Sequence, residues 1–328
     1  MPILGVNSSN MGKYFDEWYD GTYITNKGGI ESGFLKQILC SIPLDTHNIL
    51  DHGCGQGSWV SLLQDKFSNA KITGIDISKN GIDIAKKLFP KHTFFVFDGK
   101  TAPISDNSFD LIFSYHVLDA VWNLNESLVD ISRLLKKGGY LFIVMPCANE
   151  NSFEEKITRL VKGGKEDSID GYKRFFYSYP CNVRRLQSSE IIKLLSKHNI
   201  IIYEEFYSNH FLGAINWISK SSYSFLNELF DYRNGVNFNA KIKLYILRIV
   251  FIILLSVMKL SNVRNIIILN KIKNSKNFIK SFLFLSLFAF KPISLIFGSI
   301  MNLFSIIEWH LCSKKKHAST QYLIFKQL

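Results

Sequence analysis

The stretch Ile49-Leu50-Asp51-His52-Gly53-Cys54-Gly55-Gln56-Gly57 constrains this 328-residue chain more than any other. An apolar strand ends in an acid and turns through three glycines spaced two apart, leaving a backbone bare enough for a ligand to lie against it. Glycine is required where the chain turns tightly and where a Cβ would collide with a bound molecule. A second strand, Lys71-Ile72-Thr73-Gly74-Ile75-Asp76, ends in an acid nineteen residues after Gly57. A carboxylate at that place can accept two hydrogen bonds from ribose hydroxyls. Together the two motifs describe a nucleoside pocket.

A glycine-rich first turn also serves dinucleotides, whose fingerprint is G-x-G-x-x-G. Here Gly55-Gln56-Gly57 is followed by Ser58, Trp59 and Val60, so the glycine that packs the helix is missing. The spacing Asp51-x-Gly53-Cys54-Gly55-x-Gly57 instead resembles the first motif of class I S-adenosylmethionine-dependent methyltransferases, of the ubiquinone-biosynthesis or type 11 kind. Further elements follow in the order and spacing of that family. Phe97-Asp98-Gly99 ends a third strand, Phe109-Asp110-Leu111-Ile112-Phe113-Ser114-Tyr115-His116 forms a fourth, and Arg133-Leu134-Leu135-Lys136-Lys137-Gly138-Gly139-Tyr140 leads into a fifth. The resemblance covers roughly residues 30 to 208 and the last strand, and five elements in series are far more specific than one.

The resemblance implies an α/β fold, a Rossmann-like doubly wound sheet with a final antiparallel strand, and S-adenosyl-L-methionine as cofactor. It implies roles as well. Gly53, Gly55 and Gly57 would let the backbone approach the cofactor's amino-acid part, and Asp51 would organise the loop and accept from the ammonium. Asp76, with Ile77 beside it, would hold the ribose. Asp98 would accept from the adenine amino group and Gly99 would read the ring edge. Ser114 and Tyr115 would line the methyl donor's side of the crevice at the strand ends. Cys54 reads as a small buried filler.

Five cysteines without C-x-x-C spacing fit a reducing compartment, and eight histidines form no metal-ligand spacing. Met1-Pro2-Ile3-Leu4-Gly5-Val6 lacks the basic start and apolar run of a secretory signal, which places the chain in the cytosol. The net charge of +12 is concentrated late: from Lys241 to Lys326 the only acid is Glu308, among many Lys and Arg. No nucleic-acid-binding motif accompanies these bases, which alternate with long aliphatic runs, so an anionic membrane surface is the partner expected in place of nucleic acid. The runs lie at 244–258, 266–269, 282–290 and 293–307, broken by Arg248 and Lys291-Pro292. A spanning helix wants about 20 apolar residues. Two spans would carry the bases at Arg264, Lys271, Lys273, Lys276 and Lys280 across the membrane, against the positive-inside tendency, whereas helices lying in the interface keep them on the cytosolic face. A hairpin, a lid and a dimer interface stay open as alternatives.

The chain therefore divides into a cap segment (1–29), a methyltransferase core (30–208), an apolar basic helical insertion (209–318) and the last strand of the sheet (319–328). Helices are expected over 30–41, 58–67, 78–88, 126–136 and 190–197, the fourth closed by Gly138-Gly139 and the last capped by Ser189. A sulfonium methyl needs an aligned nucleophile and, for a hydroxyl, a proton acceptor. His116, ending the fourth strand at the crevice, is the first candidate base, and His52 the weaker one. Tyr172, Arg174, Arg184 and Arg185 are candidates to orient an anionic substrate. The expected function is methyl transfer, to oxygen in preference, on an amphiphilic or lipid-linked acceptor, by a protein peripheral or monotopic at the cytosolic membrane face. A soluble metabolite as acceptor and a non-catalytic cofactor-binding scaffold are the alternatives.

Overall fold

The computed structural model describes residues 7–19, 29–97, 102–179, 181–259 and 278–328. The chain divides into two compact units, one formed by Met1–Glu150, Lys165–Tyr207 and Lys314–Leu328, the other by Asn151–Gly164 and Ser208–Ser313.

The first unit is built on a seven-stranded sheet. Its strands are β1 (Asn48–His52), β2 (Lys71–Asp76), β3 (Thr93–Val96), β4 (Phe109–Tyr115), β5 (Leu135–Pro146), β8 (Ile200–Ser208) and β9 (Thr320–Gln327), in the order β3-β2-β1-β4-β5-β9-β8. The pairs β1–β2, β1–β4, β2–β3 and β4–β5 are parallel, and β9 runs antiparallel to β5 with Ile143 opposite Leu323. The central strands are apolar almost without alternation, as strands covered on both faces must be. Leu50, Ile112, Leu141, Ile143 and Leu323 are all fully buried there.

Helices α1 (Met11–Trp18), α2 (Ile30–Ile38), α3 (Val60–Lys66), α4 (Lys79–Leu88), α5 (Leu124–Leu134) and α7 (Ser188–Ser196) belong to the same unit. Ser78 caps α4 by accepting from Gly81 N at 3.0 Å, and Asn123 caps α5 by accepting from Glu126 N. A small hairpin, β6 (Lys165–Asp167) with β7 (Lys173–Phe175), precedes α7 in sequence.

Two boundaries differ from expectation. Helix α5 ends at Leu134 and not at Lys136, because Leu135 already pairs with Phe109 and Lys136 Nζ reaches Asp110 Oδ1 at 2.6 Å. Strand pairing thus overrides helix propensity, and Gly138, at φ +76°, turns an irregularity of β5 instead of closing a helix. Helix α7 is capped by Gln187, not Ser189, in a reciprocal box with Glu190 whose carboxylate takes Gln187 N at 2.7 Å.

The second unit is helical: α6 (Phe153–Leu160), α8 (Leu212–Ser219), α9 (Tyr223–Leu229), α10 (Phe238–Lys259) and α11 (Phe278–Cys312). It recruits 151–164, a segment the sequence places in the core. Trp217 Nε1 donates to Glu154 Oε1, Val236 N to Leu160 O, and Val161 bridges Gly235. Phe251 of α10 stacks on Phe230 at 4.9 Å, with Leu244 and Leu255 buried beside it. Glu308, the lone acid of the basic tail, is buried and caps α8: Oε1 accepts from Phe211 N and Leu212 N at 2.9 and 2.7 Å, and Oε2 from Gly213 N at 2.9 Å. The outer side of α10 exposes Ile242, Tyr245, Ile246, Ile249 and Ile253, and that of α11 exposes Leu295, Ile296, Leu303 and Phe304. Ser294–Cys312, 19 residues at mean hydropathy 1.5, is long and apolar enough to cross a membrane by length and composition.

Candidate active site

A cavity of about 770 Å³ opens at the carboxyl ends of the parallel strands, where open α/β sheets place ligands. His52, Gly53, Cys54 and Gln56 of the loop after β1, Asp76 and Ile77 after β2, and Phe97 after β3 form one side of its lining. Tyr115, His116 and the stretch 120–123 form another, and Met11, Phe15, Trp18 and Tyr19 complete it.

The loop glycines have distinct reasons. Gly53 lies at φ +73°, and a Cβ there would collide with Val117; at Gly55, φ +52°, it would collide with the Tyr19 hydroxyl. The approach of α1's end to the loop therefore depends on Gly55. Asp76 shapes the same loop, its Oδ2 accepting from Gly55 N and its Oδ1 from Ser78 N, each at 2.8 Å. Burial pushes its carboxyl up to about 6, against the hydrogen bonds from Ser78 and Gly55. Asp51, behind the loop, is buried with Oδ2 lacking any hydrogen-bond partner, and burial with the Asp76 charge beside it pushes its carboxyl up to about 8. Gln56 Oε1 is likewise buried without a partner. The Cys54 thiol is pushed well up by burial, which makes it inert as a nucleophile.

The other expected site residues distribute unevenly. Tyr115 stands in the wall with its ring 4.6 Å from Trp59 and 4.5 Å from His116. Burial first, then the Glu31 charge and hydrogen bond, hold its phenol protonated. Ser114 is a correction: it is 1% exposed and its Oγ sits 3.3 Å from His52 Nδ1, so it supports His52 from behind the lining. Burial lowers His52 to about 4 and keeps it neutral. His116, at φ +54°, is anchored by its N–H to Val144 O at 2.8 Å and is among the residues that line the cavity. Asp98 and Gly99 lie outside the described residues.

Arg184 is a second correction. Its guanidinium is buried, with Nε on Asp170 Oδ2 at 2.5 Å, Nη1 on the carbonyls of Leu118 and Val121, and Nη2 on that of Trp122. It braces the cavity wall, with four of its five N–H donors engaged within the protein. Arg174, 2% exposed, donates to Ser178 O and lies 3.5 Å from Glu166. Arg185 stacks over Phe175 and donates to the Tyr177 hydroxyl. None of the three arginines lines the cavity, and Tyr172 borders a separate space of about 270 Å³ with Trp122 and Asp170. Among the described residues no Lys or Arg lines the main cavity. Trp59 and Trp122 were invisible as wall residues in the sequence, since only the strand-end turns bring them together.

Residues 50–143 match the family described as methyltransferase domain. The chain is 27% identical over 160 residues to the putative methyltransferase 235L of Invertebrate iridescent virus 6, covering 49% of this chain and 54% of that protein. It is 25% identical over 175 residues to the demethylmenaquinone methyltransferase of Chlorobaculum parvum, covering 52% and 72%. It spans about half the length of the viral protein and of another curated relative. Among solved structures, the [4+2]-cyclase SpnF superposes with a TM-score of 0.50 at 14% identity, covering 100% of this chain and 99% of that one, a likeness of fold. The chain carries a class I S-adenosylmethionine-dependent methyltransferase domain. Its residues fit that cofactor: Asp51 Oδ2 and Gln56 Oε1 are buried acceptors in want of a donor, as an ammonium group supplies, and Asp76 lines the same cavity.

Proposed function

We propose that this protein transfers a methyl group to a hydroxyl of an uncharged, ring-bearing head group carried on an amphiphilic or lipid-linked acceptor. The observation that carries this reading is the cavity lining, where Trp18, Tyr19, Trp59, Tyr115 and Trp122 supply aromatic surface and no Lys or Arg among the described residues offers an anion a partner. The likeness to a demethylmenaquinone methyltransferase supports the ring-bearing part of this reading. A phosphate-bearing head loses its support with the engagement of Arg184 elsewhere.

Asp51 and Gln56 would hold the ammonium end of S-adenosylmethionine, Asp76 and Ile77 the ribose, with Tyr115 in the wall nearby. The cofactor supplies an electrophilic methyl group when bound. His116 would act as the general base that takes the acceptor's hydroxyl proton. The aromatic wall excludes water and aligns the ring.

The helical unit is the attachment to a membrane's cytosolic face. Support comes from the exposed aliphatic side of α10 with Lys241 and Lys243 close by, the pattern of a helix lying in the interface. Donor labelled in its methyl group, incubated with the protein and a lipid extract of its host, tests the reading by partition. Label in the organic phase is expected, and label confined to a new aqueous product would overturn the lipophilic acceptor.

A further inference from the structure

The second space, of about 270 Å³, is absorbed by no role above. Its lining comes from two stretches, the first turn of α5 with the two residues before it and the turn between β6 and β7. Trp122 and Asn123 line both this space and the main cavity, so the two adjoin there. One buried guanidinium fixes both sides. Arg184, whose side chain is 0% exposed, donates from Nη2 to Trp122 O at 3.2 Å and from Nε to Asp170 Oδ2 at 2.5 Å. Burying a cation is costly unless its donors are met, and here the two walls meet them. Gly171, at φ +82°, turns the hairpin just beyond Asp170 in a conformation that favours glycine. The space is thus set by the fold before any ligand arrives, which lowers the cost of binding one.

The polar groups of this lining are only partly used. Asn123 Oδ1 caps α5 by accepting from Glu126 N at 3.3 Å, which leaves its Nδ2 hydrogens, and the exposed Asn125 amide makes no hydrogen bond among the described residues. The Asp170 carboxylate takes Arg184 Nε and Ser168 Oγ, two of about four lone-pair positions. Trp122, Tyr172 and Ile169 add apolar surface, and no Lys or Arg among the described residues lines the space. An anion therefore finds no cation here, and a purely apolar ring would strand the amides and the carboxylate. An uncharged ring bearing several hydroxyls suits the set, because each hydroxyl both donates and accepts while the ring's C–H face rests on aromatic surface. Pockets that take a whole drug-sized ligand run to about 300–1,000 Å³, so this one holds a single such ring and not a complete acceptor.

We infer that the second space is a sugar subsite: the acceptor's head group is a saccharide, one ring presenting its hydroxyl in the main cavity and the adjoining ring seated against Trp122, Asn125, Asp170 and Tyr172. This deepens the methyl-transfer reading above and rests on it. Trp122 and Asn123, common to both spaces, mark where the glycosidic link passes. A head group of one ring leaves the second space without an occupant, so the subsite sets the acceptor's minimum length at two rings.

The organic-phase product made from methyl-labelled donor and lipid extract, hydrolysed by acid at its glycosidic bonds, reads the acceptor class directly. Label moving to the aqueous phase as an O-methyl monosaccharide, identified by mass spectrometry, is expected; label that stays organic after hydrolysis would overturn the inference. Label on a water-soluble oligosaccharide would support the subsite and overturn only the lipid carrier. Asn125→Leu, at an exposed position, should raise KM for the acceptor about 10-fold, the worth of one or two neutral hydrogen bonds. Its kcat and its calorimetric affinity for S-adenosylhomocysteine should stay within about twofold of wild type, the signature of lost uniform binding. An unchanged KM would count against the subsite. Wild-type protein that binds S-adenosylhomocysteine but transfers no label would count against the methyl-transfer reading instead. The subsite is then judged by saturation-transfer spectra of the full chain with the sugars that acid releases from the same extract: sugar protons saturated by wild type and not by Asn125→Leu are expected, and no saturation by wild type overturns it.

Discussion

Replacing Asp51 by Asn should make the free protein more stable and its hold on the cofactor weaker. An acid whose folded value, about 8, lies above its ordinary 3.8 binds more protons folded than unfolded between those limits. Stability is therefore withheld as pH rises through that window and flat above it. At pH 7 the shift corresponds to about 4 kcal/mol at 1.36 kcal/mol per unit. Relief of even a quarter of this, about 1 kcal/mol, raises the melting temperature by about 2–4 °C in a domain of this size. The gain should shrink toward zero at pH 4. Affinity for S-adenosylmethionine should fall about 10- to 100-fold, the worth of a hydrogen bond to a charged group, and wild-type binding at pH 7 should release close to one proton. Differential scanning fluorimetry from pH 4 to 8, with calorimetry in two buffers of different ionisation enthalpy, measures all of this. A free Asp51→Asn protein that melts below wild type at pH 7, or binds the cofactor as tightly, would refute the reasoning.

Glu308→Ala orphans three N–H groups at the start of α8 and should cost about 2–3 kcal/mol of unfolding free energy in urea titration, whereas Glu308→Gln should lose less. Ile246→Glu with Ile253→Glu charges exposed positions on α10 and should abolish flotation with anionic liposomes while leaving the circular dichroism spectrum unchanged. Native protein at pH 8 should alkylate at exposed Cys40 and not at Cys54, whose burial keeps the thiol protonated; peptide mass mapping reads this.

The sheet was legible in the sequence because its strands carry local signatures: continuous apolar runs ending in Asp51, Asp76 and Tyr115, each followed by a turn. The glycine loop at the cavity was legible for the same reason, since Gly53, Gly55 and Gly57 fall within five residues of one another. What escaped is non-local. Arg184 looked like a substrate anchor until Asp170 and three carbonyls engaged it, and Asn182 meets Asp119 across 63 positions of chain. Glu308 stood out only as a lone acid, with no hint that it caps a helix 95 residues earlier. The end of α5 was misplaced because Leu135's pairing with Phe109 is a tertiary contact that outweighs local propensity. That no Lys or Arg among the described residues lines the cavity is a property of the assembled wall and of no segment alone.

The nucleoside pocket after β1 is the claim on which the rest depends, and titration calorimetry of the full chain with S-adenosylmethionine and, in parallel, with NAD tests it most directly. One site for S-adenosylmethionine, abolished by Gly53→Val and absent for NAD, is the expected result. No heat with S-adenosylmethionine, or tighter binding of NAD, would contradict the account.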